Sequence, residues 1–305
     1  MEDFEKKLKL QQLLVDDEDG SEEDYEPEEP DYGDDIEEPD YTDDGDIEEP
    51  DFDPIDEPQD IIQTPLGGIS TFVDIVFCID LTASMAPLIN TVKELTLNLY
   101  DDLIKEMREK KSRIVKQLRV KVIGFRDFYC DGQYALEESS FFTLPEQKNE
   151  FSSFVRKLEA KGGGDEPENA LEAIALAMKS NWVKVTNSNT EKARNVVIVF
   201  TDASAHPLEK QLDGVDENYP KGMLKSYNEL YEAWCGQGSL AGSTGEYVMD
   251  KMAERLVIFA PEDAYPWSDM AEEIDYAAFV PISAAKGGAE IGKRTIIAQI
   301  SGSIK

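Results

Sequence analysis

The chain has 305 residues and carries 65 acidic against 30 basic side chains, a formal net charge of −35, with 41% of its residues apolar. An excess of that sign excludes binding to a nucleic-acid backbone, which rests on clustered Lys and Arg. No apolar run reaches the roughly 18 residues of a membrane span and no basic-then-apolar leader precedes the acidic run, so neither membrane insertion nor secretion is expected. Cys78, Cys130 and Cys235 are far apart and form no CxxC pair. That spacing fits a reducing, cytoplasmic setting and neither a disulfide framework nor a zinc site.

Most of the charge sits in a head, residues 1–65, which holds 29 acidic residues and 3 lysines and so lies near −26, leaving the body, residues 66–305, near −9. Met1 to Val15 places apolar residues at Phe4, Leu8 and Leu13 to Val15, close to helical spacing, so a short amphipathic helix is expected there, stable only against a partner surface. From Asp16 to Asp60 there are 26 acidic residues and no basic one. Self-repulsion with little to bury predicts disorder. Within this stretch a unit recurs about every ten residues, as Glu28-Glu29-Pro30-Asp31-Tyr32, Ile36 to Tyr41 and Ile47 to Phe52. The regular aromatics suit a multivalent docking tail, with each ring an anchor and the carboxylates reading a basic surface. A solvating acidic linker is the plainer reading.

The body opens after Pro65, Gly67 and Gly68 with Phe72 to Ile79, apolar except for Asp74 and rich in β-branched residues, as expected of a buried strand in a parallel sheet. Met85 to Met107 has one apolar stripe and predicts a long helix. Leu118 to Phe125 predicts a second strand, Ser140 to Thr143 a short one, and Glu146 to Lys157 a helix. Gly162 to Glu168 predicts a loop into a helix, with Pro167 in its first turn and Ala170, Leu171, Ile174 and Met178 inward. Asn195 to Phe200 is a second buried strand. A helix over Tyr219 to Trp234, strands over Glu254 to Ala260 and Ala277 to Pro281, and a closing helix or strand over Ile291 to Ile300 complete the body. Strands alternating with helices predict a single-domain α/β sandwich with a doubly wound, mostly parallel sheet.

In such a fold ligands bind at the carboxyl ends of the strands, and three loops there carry oxygen donors. The first strand ends in Asp80, followed at two-residue spacing by Thr82 and Ser84. Asp165 follows three glycines. Thr201-Asp202 closes the strand at Phe200. Carboxylates and hydroxyls without nitrogen or sulfur suit a hard cation such as Mg2+. Asp80 alone could be a helix cap, but that does not account for Thr82, Ser84, Asp165 and Asp202 together.

These three loops together resemble the von Willebrand factor A domain with its metal-ion-dependent adhesion site, built from an Asp-x-Ser/Thr-x-Ser loop, a Thr or Asp from a second loop, and an Asp at the end of a later strand. The resemblance covers about residues 70 to 300 and implies that Thr82 and Ser84 ligate through hydroxyls, Asp165 supplies the second loop, and Asp80 and Asp202 bind directly or through water. It implies Mg2+, or Mn2+ or Ca2+, as cofactor. Arg126-Asp127 and the Gly-Gly-Gly-Asp-x-Pro-Glu run look more like intracellular A domains of stress-response and kinase-associated type than like integrins. Asp165 stands where adhesion receptors place a Thr, so added negative charge should tighten metal binding and weaken the pull on an acidic ligand.

The function expected on this reading is a non-enzymatic, cytoplasmic protein-binding module acting as scaffold or adaptor. Its protein partner would be met through a carboxylate at the metal or a basic surface for the tail, and a tail carboxylate could itself occupy the metal's open position. Arg126, Asp127, Thr201 and His206 are candidates for the rim, Arg126-Asp127 also for a structural ion pair. His206 as a base for Ser204 is the weaker reading, since residues two apart on a loop need not face each other. Gly287 to Thr295 nearly spells a phosphate loop, but Arg294 occupies the hydroxyl position. The rival function is a Mg-dependent phosphohydrolase with Asp80 as nucleophile, weakened by Thr82 standing where the general acid belongs.

Overall fold

The computed structural model describes residues 69–304 apart from 97, 111–113, 165, 186–188, 209–215 and 237–248. The expected helix at 1–15, the acidic repeats and Asp165 lie outside the described residues.

The first apolar run forms β1 (Ser70–Asp80), buried along nearly its whole length. Its parallel neighbours are β2 (Ile114–Phe125) on one side and β5 (Glu191–Phe200) on the other. On β2 pair the short antiparallel β3 (Leu136–Glu138) and β4 (Phe142–Leu144), while β6 (Glu254–Ala260) and β7 (Ala277–Pro281) extend the sheet in parallel beyond β5. Among the described residues this gives seven strands in the order β3-β2-β1-β5-β6-β7, with β4 beside β3 on β2. The chain winds outward in both directions from β1, so the crevice beyond the carboxyl ends of β1 and β5 is the switch point at which open α/β sheets bind ligands.

Alternation along the strands feeds two cores. Val73, Ile75, Phe77 and Ile79 of β1 and Val196, Ile198 and Phe200 of β5 face one layer, formed by α1 (Ala86–Thr96), α2 (Leu99–Glu109), α4 (Lys148–Lys157) and α8 (Lys293–Ile304). Val76, Cys78, Val197 and Val199 face the other, formed by α5 (Ala170–Met178), α6 (Tyr227–Trp234) and α7 (Trp267–Glu273). A single turn, α3 (Phe128–Asp131), follows β2. Asp74, the polar exception in the run Phe72 to Ile79, is fully buried but satisfied: Arg119 Nε donates to its Oδ1 at 2.8 Å and the Val183 amide to its Oδ2 at 2.6 Å.

Several expectations are corrected. The stripe over 85–107 is split into α1 and α2, with Asn98 in a non-helical conformation between them. Asn competes for backbone hydrogen bonds and favours such junctions. Pro167 is not in a first helical turn, since α5 starts at Ala170 behind Asn169. The helix expected from Tyr219 begins only at Tyr227, capped by Ser226 Oγ accepting from the Glu229 amide at 3.1 Å. The closing segment is helical, and α7 had no counterpart in the pattern.

Candidate functional site

Asp80, at the last position of β1, is fully buried and tied on both oxygens. Its Oδ1 accepts from the Thr82 amide at 2.9 Å and from Thr82 Oγ1 at 2.6 Å, and its Oδ2 accepts from Thr201 Oγ1 at 2.8 Å. Across the crevice Ser84 Oγ donates to Asp202 Oδ1 at 3.1 Å. Four of the five expected donors, with Thr201, thus form one network joining the β1 and β5 loops. A hydroxyl has one proton and two lone pairs. Thr82 and Ser84 give their protons to carboxylates, which leaves lone pairs on two oxygens 3.3 Å apart. They face a cleft of about 220 Å³ whose walls include Gly162 to Gly164, Glu166, Glu168 and Asp202.

The cleft is walled closely by backbone. A Cβ on Gly163 (φ +76°) would stand 2.9 Å from Thr82 Cβ, and one on Gly287 (φ +50°) would stand 2.0 Å from the Ser84 carbonyl oxygen. Only a residue without a side chain lets these segments approach.

Burial governs the charges. It pushes Asp80 up to about 6, against the lowering effect of the Thr82 and Thr201 hydrogen bonds. Asp202 is likewise raised by burial, against its bond from Ser84. Glu168 is pushed up to about 9, first by burial and then by the charges of Asp80, Asp127, Asp131 and Asp202. Upward shifts at three neighbouring carboxyls, the largest at Glu168, describe a site short of positive charge.

The residues expected at the rim are placed differently. Arg126 is fully buried and is a clamp: Nε donates to Leu81 O at 3.1 Å and Lys161 O at 2.8 Å, Nη1 to Tyr134 O, and Nη2 to Glu159 O at 2.8 Å and Glu137 Oε1 at 3.0 Å. It cannot touch a partner, and its ionic contact is with Glu137 rather than with the expected Asp127. Thr201 is also fully buried and Asp127 nearly so. Burial removes all three from the rim and leaves His206, partly exposed, with Nε2 3.5 Å from Asp127 Oδ1. Ser204 Oγ accepts from the Tyr265 amide at 3.2 Å, so neither contact is that of a nucleophile with its base. Sequence reasoning quoted Glu168 but gave it no role, and the only hint was its place at the end of the glycine-rich run. Among the described residues no three His, Cys, Asp or Glu side chains form a metal cage by themselves.

Residues 74–218, from within β1 to beyond the β5 loop, match the von Willebrand factor A domain family. Over that segment the chain is similar to the von Willebrand factor A domain. It is similar to the alpha-protein kinase vwkA of Dictyostelium discoideum, 28% identical over 153 residues, which is 50% of this chain and 21% of that protein. The chain therefore spans about a fifth of the curated relative it matches. Solved structures similar to it include the pilus adhesin SpaC from Lactobacillus rhamnosus GG (12% identity, TM-score 0.42, covering 76% of this chain and 31% of that one). Another is the von Willebrand factor type A protein from Catenulispora acidiphila (15% identity, TM-score 0.42, covering 77% and 43%). Within the matched segment the Asp80-Thr82-Ser84 loop and Thr201-Asp202 occupy the switch-point crevice.

Proposed function

We propose that the chain is a non-enzymatic, divalent-cation-dependent protein-binding module, a cytoplasmic A domain serving as scaffold or adaptor, with its acidic head as a second docking element. The observation that carries this reading is the orientation of Thr82 and Ser84, whose protons are taken by Asp80 and Asp202 so that lone pairs on one loop stand side by side at the cleft. Neighbouring oxygen ligands of an octahedral Mg2+ stand roughly 3 Å apart, and the 3.3 Å between these two hydroxyl oxygens fits that cation or the larger Ca2+. Thr82 and Ser84 would hold it directly, Asp80 and Asp202 directly or through water, and Asp165 from the second loop. A cation there would supply the charge that the buried carboxylates lack and an open position for a partner's carboxylate. Among the described residues no helix is long and apolar enough to cross a membrane. Cys78, Cys130 and Cys235 form no disulfide with one another, which supports a reducing compartment. The phosphohydrolase reading loses ground, because a nucleophile must reach a phosphorus atom and Asp80 is fully buried with both oxygens engaged.

Thermal unfolding tests it. A ligand that binds only the folded state stabilises it by mass action, by about 2.7 kcal/mol at a hundredfold excess over Kd. Wild type is expected to melt higher in Mg2+ than in chelator, and Asp80→Ala/Ser84→Ala to melt alike in both. Equal responses of the two proteins would remove the cation from the reading.

A further inference from the structure

Glu168 is the buried group that the cation reading leaves unexplained. It is 3% exposed, and its Oε2 is enclosed with no hydrogen-bond partner among the described residues. Buried carboxylates without partners are costly and rare in native folds, and each calls for a reason. The side chain is not there by accident of a loose loop. The Glu168 amide donates to Ser204 O at 2.9 Å, and its carbonyl accepts from the His206 amide at 2.8 Å, so the residue forms a parallel bridge beside Ala205. This pairing stitches the second loop to the outgoing end of β5. It aims the carboxylate at the same cleft that Thr82, Ser84 and Asp202 line, with Oε1 3.3 Å from where a Gly163 Cβ would lie.

Resting on the proposed cation site, we infer that Glu168 is a further carboxylate of that site, acting one layer behind Thr82 by accepting a hydrogen bond from a cation-bound water. A group in that layer orients the ligands and adds charge, and removing such a partner typically lowers metal affinity 10–100-fold. The added charge raises affinity for the cation and lowers its remaining attraction for an incoming acidic group. On this view the site retains its cation and discriminates against weakly acidic partners. The pressure that burial and the surrounding acids put on Glu168 to stay neutral is relieved when a cation is present.

The test compares wild type, Glu168→Gln, Glu168→Asp and Asp80→Ala/Ser84→Ala by calorimetric titration with Mg2+ and by thermal unfolding in chelator. Glu168→Gln keeps the shape and removes the charge. It is expected to melt like wild type in chelator yet to bind Mg2+ at least tenfold more weakly, with Glu168→Asp, which restores charge on a shorter stem, in between. A merely structural role would lower the chelator melting temperature and leave the Mg2+ affinity of the folded protein unchanged. Wild-type affinity in Glu168→Gln, or in Glu168→Asp should the first variant fail to fold, overturns this inference alone. A wild type that binds no more Mg2+ than the Asp80→Ala/Ser84→Ala control overturns the cation site and the inference with it.

Discussion

At the scale of single residues, the site depends as much on two missing side chains as on its donors. Gly287 has φ +50°, and a Cβ there would meet the Ser84 carbonyl oxygen at 2.0 Å, a separation no neighbour can accept without moving. Since Ser84 Oγ must stay over Asp202, a shift of its backbone displaces a donor. Gly222 provides the control: it has φ +68° but nothing within 4 Å of an added Cβ. Gly222→Ala is expected to cost about 1 kcal/mol, the left-handed strain alone. Gly287→Ala is expected to cost about 2–4 kcal/mol, strain and overlap together, and to blunt the Mg2+ response that Gly222→Ala leaves intact. Denaturant unfolding with and without Mg2+ separates the two. Equal costs and equal Mg2+ responses would mean that the C-terminal segment does not support the site.

At the scale of elements, Arg126 couples three segments, because its guanidinium reaches Leu81 between Asp80 and Thr82, Lys161 just before the glycines, and Tyr134 ahead of β3. Removing it takes the Arg126 donor from the Lys161, Tyr134 and Glu159 carbonyls in part-buried surroundings, at up to about 1–3 kcal/mol each. Arg126→Met is therefore expected to lose about 3 kcal/mol or more of unfolding free energy in chelator and to weaken Mg2+ binding as well. Arg126→Lys should rescue little, since an ammonium cannot reproduce the planar fork. Loss of stability with unchanged Mg2+ affinity in the folded protein would restrict Arg126 to the fold. The same elements show what was legible. The cores of β1, β5 and β6 were readable because central strands are buried on both faces and leave continuous apolar runs. The Asp80-Thr82-Ser84 and Thr201-Asp202 loops were readable because each stands at the end of such a strand. The position of Glu168 was not, because it depends on a bridge to Ala205, 37 positions away, that no local period records. The inward turn of Arg126 was hidden too, since local sequence does not show that backbone carbonyls will converge on one side chain. The break at Asn98 eluded the apolar stripe because Leu95, Leu99 and Leu103 continue it on both sides.

Across the whole molecule, the buried acids set how stability follows pH. Asp80 near 6, Glu254 near 8 and Glu168 near 9 all lie above the ordinary carboxylate range, chiefly through burial. A folded-state value above the unfolded one means that the folded chain holds the extra proton. That stabilisation is complete below about pH 4 and is lost as pH rises through the folded values. Glu159 and Glu290 are shifted the other way, by Lys161 and by the Ser283 amide, but they titrate below the window in which the buried acids change. In chelator the melting temperature is therefore expected to fall between pH 6 and pH 9. Glu254 lies at the start of β6, paired in register with Asn195, whereas Thr201 and Asp202 follow the opposite end of β5. Its share should be separable from that of the site. Glu254→Gln is expected to flatten the fall around pH 8 and to leave the Mg2+ response at pH 7 unchanged. Excess Mg2+ is expected to flatten the part of the profile belonging to Asp80 and Glu168, because a bound cation stabilises their charged forms. A wild-type profile that rises with pH in chelator would contradict the neutral buried carboxyls. One that Mg2+ leaves unaltered while Glu254→Gln flattens it would place the whole effect at the β6 end of the sheet and none in the crevice.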